Sequence, residues 1–230
     1  MADLTRYLLR TLCVLVATAG VLSFTSGSST ASHTYDGIVP TNTYNTYPTF
    51  HFCENASGPT DPVAVVCQTD SSGWYWYADS GDPGELEADD KASAQSVLSS
   101  QYNPTDLTVH YDSTPVFSGS GETDLILEEA ESAKPLPSSV LGITWCNDAV
   151  NGDPQWDCDQ TYVRIANPYY RSFSGSVACH EMGHAVGLVH GNDASPVLDP
   201  GDARLGCMVN EDEFPGSLGA ASAHLINTVY

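Results

Sequence analysis

Basic residues are scarce in this chain: seven Lys and Arg stand against 29 Asp and Glu, a formal charge of 7 − 29 = −22. So acidic a protein repels nucleic-acid phosphates and anionic membrane surfaces, which excludes electrostatically driven partners of both kinds and favours a salty or cation-rich setting. Long apolar runs are missing too. The run at residues 11–22 is shorter than the roughly twenty residues a bilayer span requires, and no later run exceeds it, so no transmembrane anchor is expected. Methionine is rare, with three including Met1.

The apolar run follows Arg6 and Arg10 and precedes a small, polar stretch, the layout of a secretory signal peptide over residues 1–31. Cys13 lies in that run and would leave with it, as would Arg6, Arg10 and Asp3, making the mature chain more acidic still. Six cysteines remain, an even count that in an exported protein argues for three disulfides. Fifteen pairings are open; proximity suggests Cys53 with Cys67, Cys146 with Cys158, and Cys179 with Cys207.

Residues 32–60 read as an N-terminal tail or activation segment, rich in Thr, Tyr, Asn and Pro over 32–52 and without a helical period. Residues 32–52 hold no cysteine that could cap a metal, so latency would fall to a group such as Asp36 or His51; an inert surface tail is the simpler expectation. Residues 61–230 read as one domain. Strands are expected at 62–67, 74–77, 107–111, 125–128, 141–146 and 162–166, with a helix over 85–102.

The chemistry concentrates in His180-Glu181-Met182-Gly183-His184-Ala185-Val186-Gly187-Leu188-Val189-His190. One helical turn separates His180 from His184, so both imidazoles project from one face toward a single metal ion. A straight helix would carry His190 to another azimuth. Gly187 can take positive φ at little cost, end the helix and swing His190 back as third ligand. Three histidines leave one tetrahedral position open for water, whose pKa zinc lowers to about 7, as in a catalytic rather than a structural site. Glu181 neighbours a ligand without being one, and is the natural base for that water and then the acid for the leaving amine.

The segment resembles the metzincin zinc endopeptidases, whose extended motif is H-E-x-x-H-x-x-G-x-x-H followed by a methionine turn. The specific resemblance covers residues 172–210. It implies that Leu205-Gly206-Cys207-Met208-Val209 is that turn, with Met208 beneath the ligands. It also implies an α/β (α+β) fold: a mixed twisted sheet, an active-site helix and a short C-terminal subdomain. Leu141, Gly142, Ile143, Thr144 and Trp145 would be the edge strand that pairs with an extended substrate, and residues 192–208 would help wall a specificity pocket. Gly191 follows the third histidine and Asn210 stands two residues after Met208, so no subfamily and no tyrosine ligand is implied.

The resulting expectation is a secreted, monomeric zinc endopeptidase, one catalytic Zn2+ per chain, that meets protein or peptide substrates and neither nucleic acid nor, once the signal is removed, membrane. Two other classes use the same residues: a secreted binding module that keeps the zinc fold without activity, which an intact Glu181 argues against, and a zinc amidase acting on cell-wall peptides. Ca2+ is a further candidate, in the acidic loops with Asp148, Asn151, Asp153, Asp157 and Asp159, and with Asp193, Asp199 and Asp202; neither matches a helix-loop-helix calcium pattern. His33, His51, His110 and His224 fall outside the motif, and Asn55-Ala56-Ser57 is a glycosylation sequon.

Overall fold

The computed structural model describes residues 41–43, 53–61, 66–81, 83–131, 133–150, 157–166, 175–210 and 215–230. They form a mixed α/β unit within residues 35–230. In chain order the elements are β1 (Gln68–Thr69), β2 (Gly73–Ala78), α1 (Ala88–Val97), β3 (Thr108–Tyr111), β4 (Leu125–Ala130), β5 (Gly142–Ala149), β6 (Asp157–Ala166), α2 (Gly175–Ala185) and α3 (Ala220–Val229). Short 3-10 segments run over Gly191–Asp193 and Ala203–Met208.

The sheet has six strands. β4 lies between β2 and β6, β3 flanks β2, and all of these pairings are parallel. β1 adds a short parallel pairing at the start of β6, whereas β5 runs antiparallel to β6, its one partner strand among the described residues. The two-residue period of a strand separates the faces. Trp74, Trp76, Leu125, Leu127, Val163 and Ile165 point to one side and join Ala94, Val97, Leu98 and Tyr102 with Val177, Ala178, Met182 and Ala185 from α2 in the main core. The alternating aromatics of β2 thus pack a core, and Trp74 meets Tyr102 edge to face at 5.5 Å.

Several boundaries differ from the sequence reading. The helix expected at 85–102 is α-helical only from Ala88: the Leu86 amide donates to Asp79 O as in extended chain, and Glu87 is the N-cap. From Leu98 to Tyr102 the helix widens to π geometry, and both of those residues are buried. β5 and β6 reach further than expected, to Ala149 and back to Asp157, because the pairing continues across a register shift after Cys146. Polar Asp148 in that extension carries loop-like chemistry but pairs with Gln160, while Asn147 and Asp159 fall at the register shifts. Of the strand expected at 62–67, residues 62–65 lie outside the described residues, and the first described strand begins at Gln68.

On the opposite face Glu128, buried in β4, takes Arg164 Nη2 at 2.6 Å and Lys134 Nζ at 2.6 Å. Two of the chain's few cations are therefore committed to one interior carboxylate, because a buried charge without a partner is costly. The cysteines join as Cys53–Cys67, Cys146–Cys158 and Cys179–Cys207. Among the described residues no helix is long and apolar enough to cross a membrane.

Thr41, Asn42 and Thr43 form no inert surface tail. Thr41 pairs with Ser195 and Thr43 with Leu188 in antiparallel bridges, and Asn42 is fully buried. The expected signal segment, together with His33, Asp36 and His51, lies outside the described residues.

Candidate metal centre

α2 packs against α1 and on β5 and β6, carrying His180, Glu181 and His184 in the interior. Its C-terminus is a Schellman cap: Leu188 N donates to Gly183 O at 2.9 Å and Gly187 N to His184 O at 2.9 Å, with Gly187 at φ 85°. A Cβ on Gly187 would fall 2.6 Å from Gln68 Cγ and 3.2 Å from Gln68 Cα, so close approach to β1 adds to the conformational demand. The turned chain is then clamped. Asn42 Nδ2 donates to Val189 O at 3.0 Å and Val189 N to Asn42 O at 2.8 Å, immediately before His190.

Cap and clamp bring His190 to the face that His180 and His184 share. His190 Nε2 stands 3.0 Å from His180 Nε2 and 3.1 Å from His184 Nε2. The far side of each helix-borne ring is fixed: His180 Nδ1 lies 2.7 Å from Cys207 O, and His184 Nδ1 lies 2.7 Å from Leu188 O. A carbonyl only accepts, so both Nδ1 atoms carry the proton and both Nε2 atoms present lone pairs inward. Burial lowers all three imidazoles, His180 to about 4 and His184 well below the usual histidine range, so at neutral pH they are uncharged and ready to ligate. Converging lone pairs repel unless a cation lies among them, and the three form a group able to hold a metal ion.

Glu181 belongs to the same helix but points elsewhere. Its Oε2 and its backbone O lie 2.8 Å and 2.9 Å from Thr144 Oγ1 on β5. Its side chain rests on Gly142, where a Cβ would fall 2.7 Å from Oε1 and 2.8 Å from Cδ. Burial pushes this carboxyl up to about 7, opposed by the Thr144 hydroxyl. Along β5 the alternation turns Gly142 and Thr144 toward Glu181, while Trp145 stacks on Tyr162 at 5.4 Å and lies under Arg164. Leu141 precedes the strand and Ile143 lies within it.

Beneath α2, Met208 is fully buried, and a Cβ on Gly183 would overlap its sulfur. The Cys179–Cys207 bond ties α2 to the 3-10 segment that ends at Met208, and the neighbouring Cys207 carbonyl is the one that orients His180. Of the remaining histidines, His110 packs against Tyr75 at 5.0 Å and His224 lies on α3.

Thr144 and Gly142 as partners of Glu181, the Asn42 clamp and the two carbonyl acceptors escape a reading of the motif alone. One signal was available: Gly183 in mid-helix costs about 1 kcal/mol relative to alanine, which flags a close approach. The acidic loops do not assemble a cation site among their described residues, and Asn151 and Asp153 lie outside these. Asp148 accepts from Asn55, Asp199 from the Gly201 amide, and Asp202 pairs with Arg204. No family model matches the chain, and no curated protein gives a significant match.

Proposed function

We propose that this protein is a secreted zinc-dependent endopeptidase of the metzincin type, with His180, His184 and His190 as ligands and Glu181 as general base. The observation that carries the reading is the convergence of three neutral imidazoles, His190 Nε2 lying 3.0 Å from His180 Nε2 and 3.1 Å from His184 Nε2, with a buried carboxylate on the same helix that is not one of the group. Tetrahedral zinc with bonds of about 2.0–2.1 Å sets its nitrogens roughly 3.3–3.4 Å apart, close to that spacing. An all-histidine set, with the outer nitrogens of His180 and His184 fixed by carbonyls, suits zinc better than a hard, oxygen-seeking ion. Bound there, zinc would polarise the scissile carbonyl and make water acidic enough to lose a proton near neutral pH.

The chain's own residues do the rest. Glu181, with a proton affinity raised into the neutral range, accepts the proton of the attacking water and returns it to the departing amine. Thr144 and Gly142 hold the carboxylate against β5. β5 has no second partner strand among the described residues, which leaves its other edge for an extended peptide running beside the carboxylate. Secretion is supported by the signal-like leader and by three disulfides, which persist in oxidising compartments.

Casein hydrolysis by the purified mature protein, with metal content measured before and after phenanthroline, tests the reading. One zinc per chain and cleavage that stops on chelation and returns with Zn2+ are expected. Metal-free cleavage overturns it; full zinc with hydrolysis of purified wall peptides but not casein would mean an amidase, and zinc without any hydrolysis the binding module.

Gly142→Ala is a sharper probe of geometry. The added methyl must push the Glu181 carboxylate aside, and a misplacement of about 1 Å costs roughly 100-fold in rate. We expect kcat/KM on a peptide substrate to fall about 100-fold with zinc content unchanged. Full activity in this variant would show that Glu181 does not work from its seat on β5.

A further inference from the structure

We propose a second metal site, for a calcium ion, formed by Glu87 and Asp90 at the start of α1 and Glu129 on β4. One carboxylate oxygen from each lies within 4.8 Å of the others. Calcium–oxygen bonds of about 2.3–2.6 Å allow ligands on opposite sides of one ion to be separated by just that much.

The decisive residue is Glu129. It is 1 % exposed, and among the described residues no N–H or hydroxyl donor reaches either of its oxygens. Its neighbours are the Glu87 and Asp90 carboxylates, and burial followed by Glu87 pushes its proton affinity upward. Glu128, one residue earlier on the opposite face of β4, shows how this protein treats an interior carboxylate when a cation is at hand: Arg164 and Lys134 pair with it. Among the described residues no such partner serves Glu129. Lys91, one turn along α1 from Glu87, sends its ammonium to Tyr111, and Arg204 pairs with Asp202.

A helix N-terminus favours acidic side chains, which accounts for Asp89 and Asp90 but not for a glutamate contributed by a strand. Glu87 makes no side-chain cap, so its carboxylate is not engaged in ending the helix. Glu87 is exposed while Asp90 and Glu129 are buried, so the cluster opens to solvent on one side, giving an ion a path and room for water ligands. Three carboxylates and no nitrogen or sulfur donor select a hard cation. Calcium there would tie α1 to β4 and so brace the layer on which α2 packs.

A shared proton is the competing way to hold Glu87 and Glu129 together, and the experiment separates the two. Mature protein purified with its histidine site loaded and without added calcium is titrated with CaCl2 by calorimetry, and its Tm is followed with and without the ion, wild type beside Glu129→Gln. The introduced amide mimics the protonated side chain, so the variant is expected to fold with a Tm equal to or above that of calcium-free wild type. Wild type should bind one calcium per chain, and its Tm should rise by about 5 °C or more at 100-fold excess over Kd. Glu129→Gln should bind at least about tenfold more weakly, with correspondingly little Tm gain. Absence of binding by wild type establishes the shared proton and overturns the site. Equal binding by both proteins places calcium elsewhere and overturns it too.

Discussion

Glu181→Gln is expected to lower peptide hydrolysis by about 1,000-fold or more while the protein keeps its fold and one zinc per chain. General acid–base groups contribute roughly 100- to 10,000-fold, and this carboxylate would act twice, on water and on the amine. The substitution is nearly isosteric and spares what holds the site together. Glutamine can still accept from Thr144 Oγ1 and still fits over Gly142. His180 and His184 keep their carbonyl partners, and His190 keeps the turn at Gly187. Even the energetic effect on folding should be small or favourable, because a buried carboxyl whose proton affinity is already raised is replaced by a neutral group. Thermal unfolding, metal content and kcat/KM measured on the same preparations check it. A variant with wild-type turnover would remove Glu181 from the mechanism, and one that loses zinc would mean that the carboxylate holds the metal.

How far this could be read from the sequence depended on whether the controlling interaction is local. The segment from His180 to His190 was legible because helical spacing and one glycine decide it, and the cysteine pairs join partners that are near one another in sequence. What stayed hidden is carried by groups without a side-chain signature or by residues far apart. The acceptors that fix two histidines are backbone carbonyls of Leu188 and Cys207. Asn42 reaches Val189 across 147 residues, from a stretch whose composition suggests only a tail. Glu87, Asp90 and Glu129 meet because α1 and β4 are neighbours in the fold, whereas the acid-rich loops, conspicuous in sequence, form no such group among their described residues. Strand ends failed where polar Asp148 pairs with Gln160 and the ladder runs on past irregularities at Asn147 and Asp159.

The same contrast sets the outcome for Gly206→Ala, which is expected to destabilise the protein by about 3 kcal/mol or more. Gly206 sits at φ 58°, ψ −134°, a conformation essentially confined to glycine. A Cβ there would overlap the Leu218 carbonyl and fall 2.8 Å from Gly219 N, so the segment Ala203–Met208 and the entry to α3 cross backbone to backbone. Neither can withdraw easily. Cys207, the next residue, is bonded to Cys179 and orients His180, Met208 fills the space under Gly183, and the entry to α3 depends on Gly219, itself at positive φ. Against a total stability of roughly 5–15 kcal/mol the loss is large, and at about 2–4 °C per kcal/mol it should lower Tm by about 10 °C. Because His180 is oriented from the displaced segment, metal affinity should weaken by about tenfold or more as well. Gly216→Ala supplies the control: a Cβ there meets nothing within 4 Å, and its effect should stay within about 0.5 kcal/mol. If the two variants unfold at the same temperature and bind metal alike, the crossing at Gly206 does not support the site.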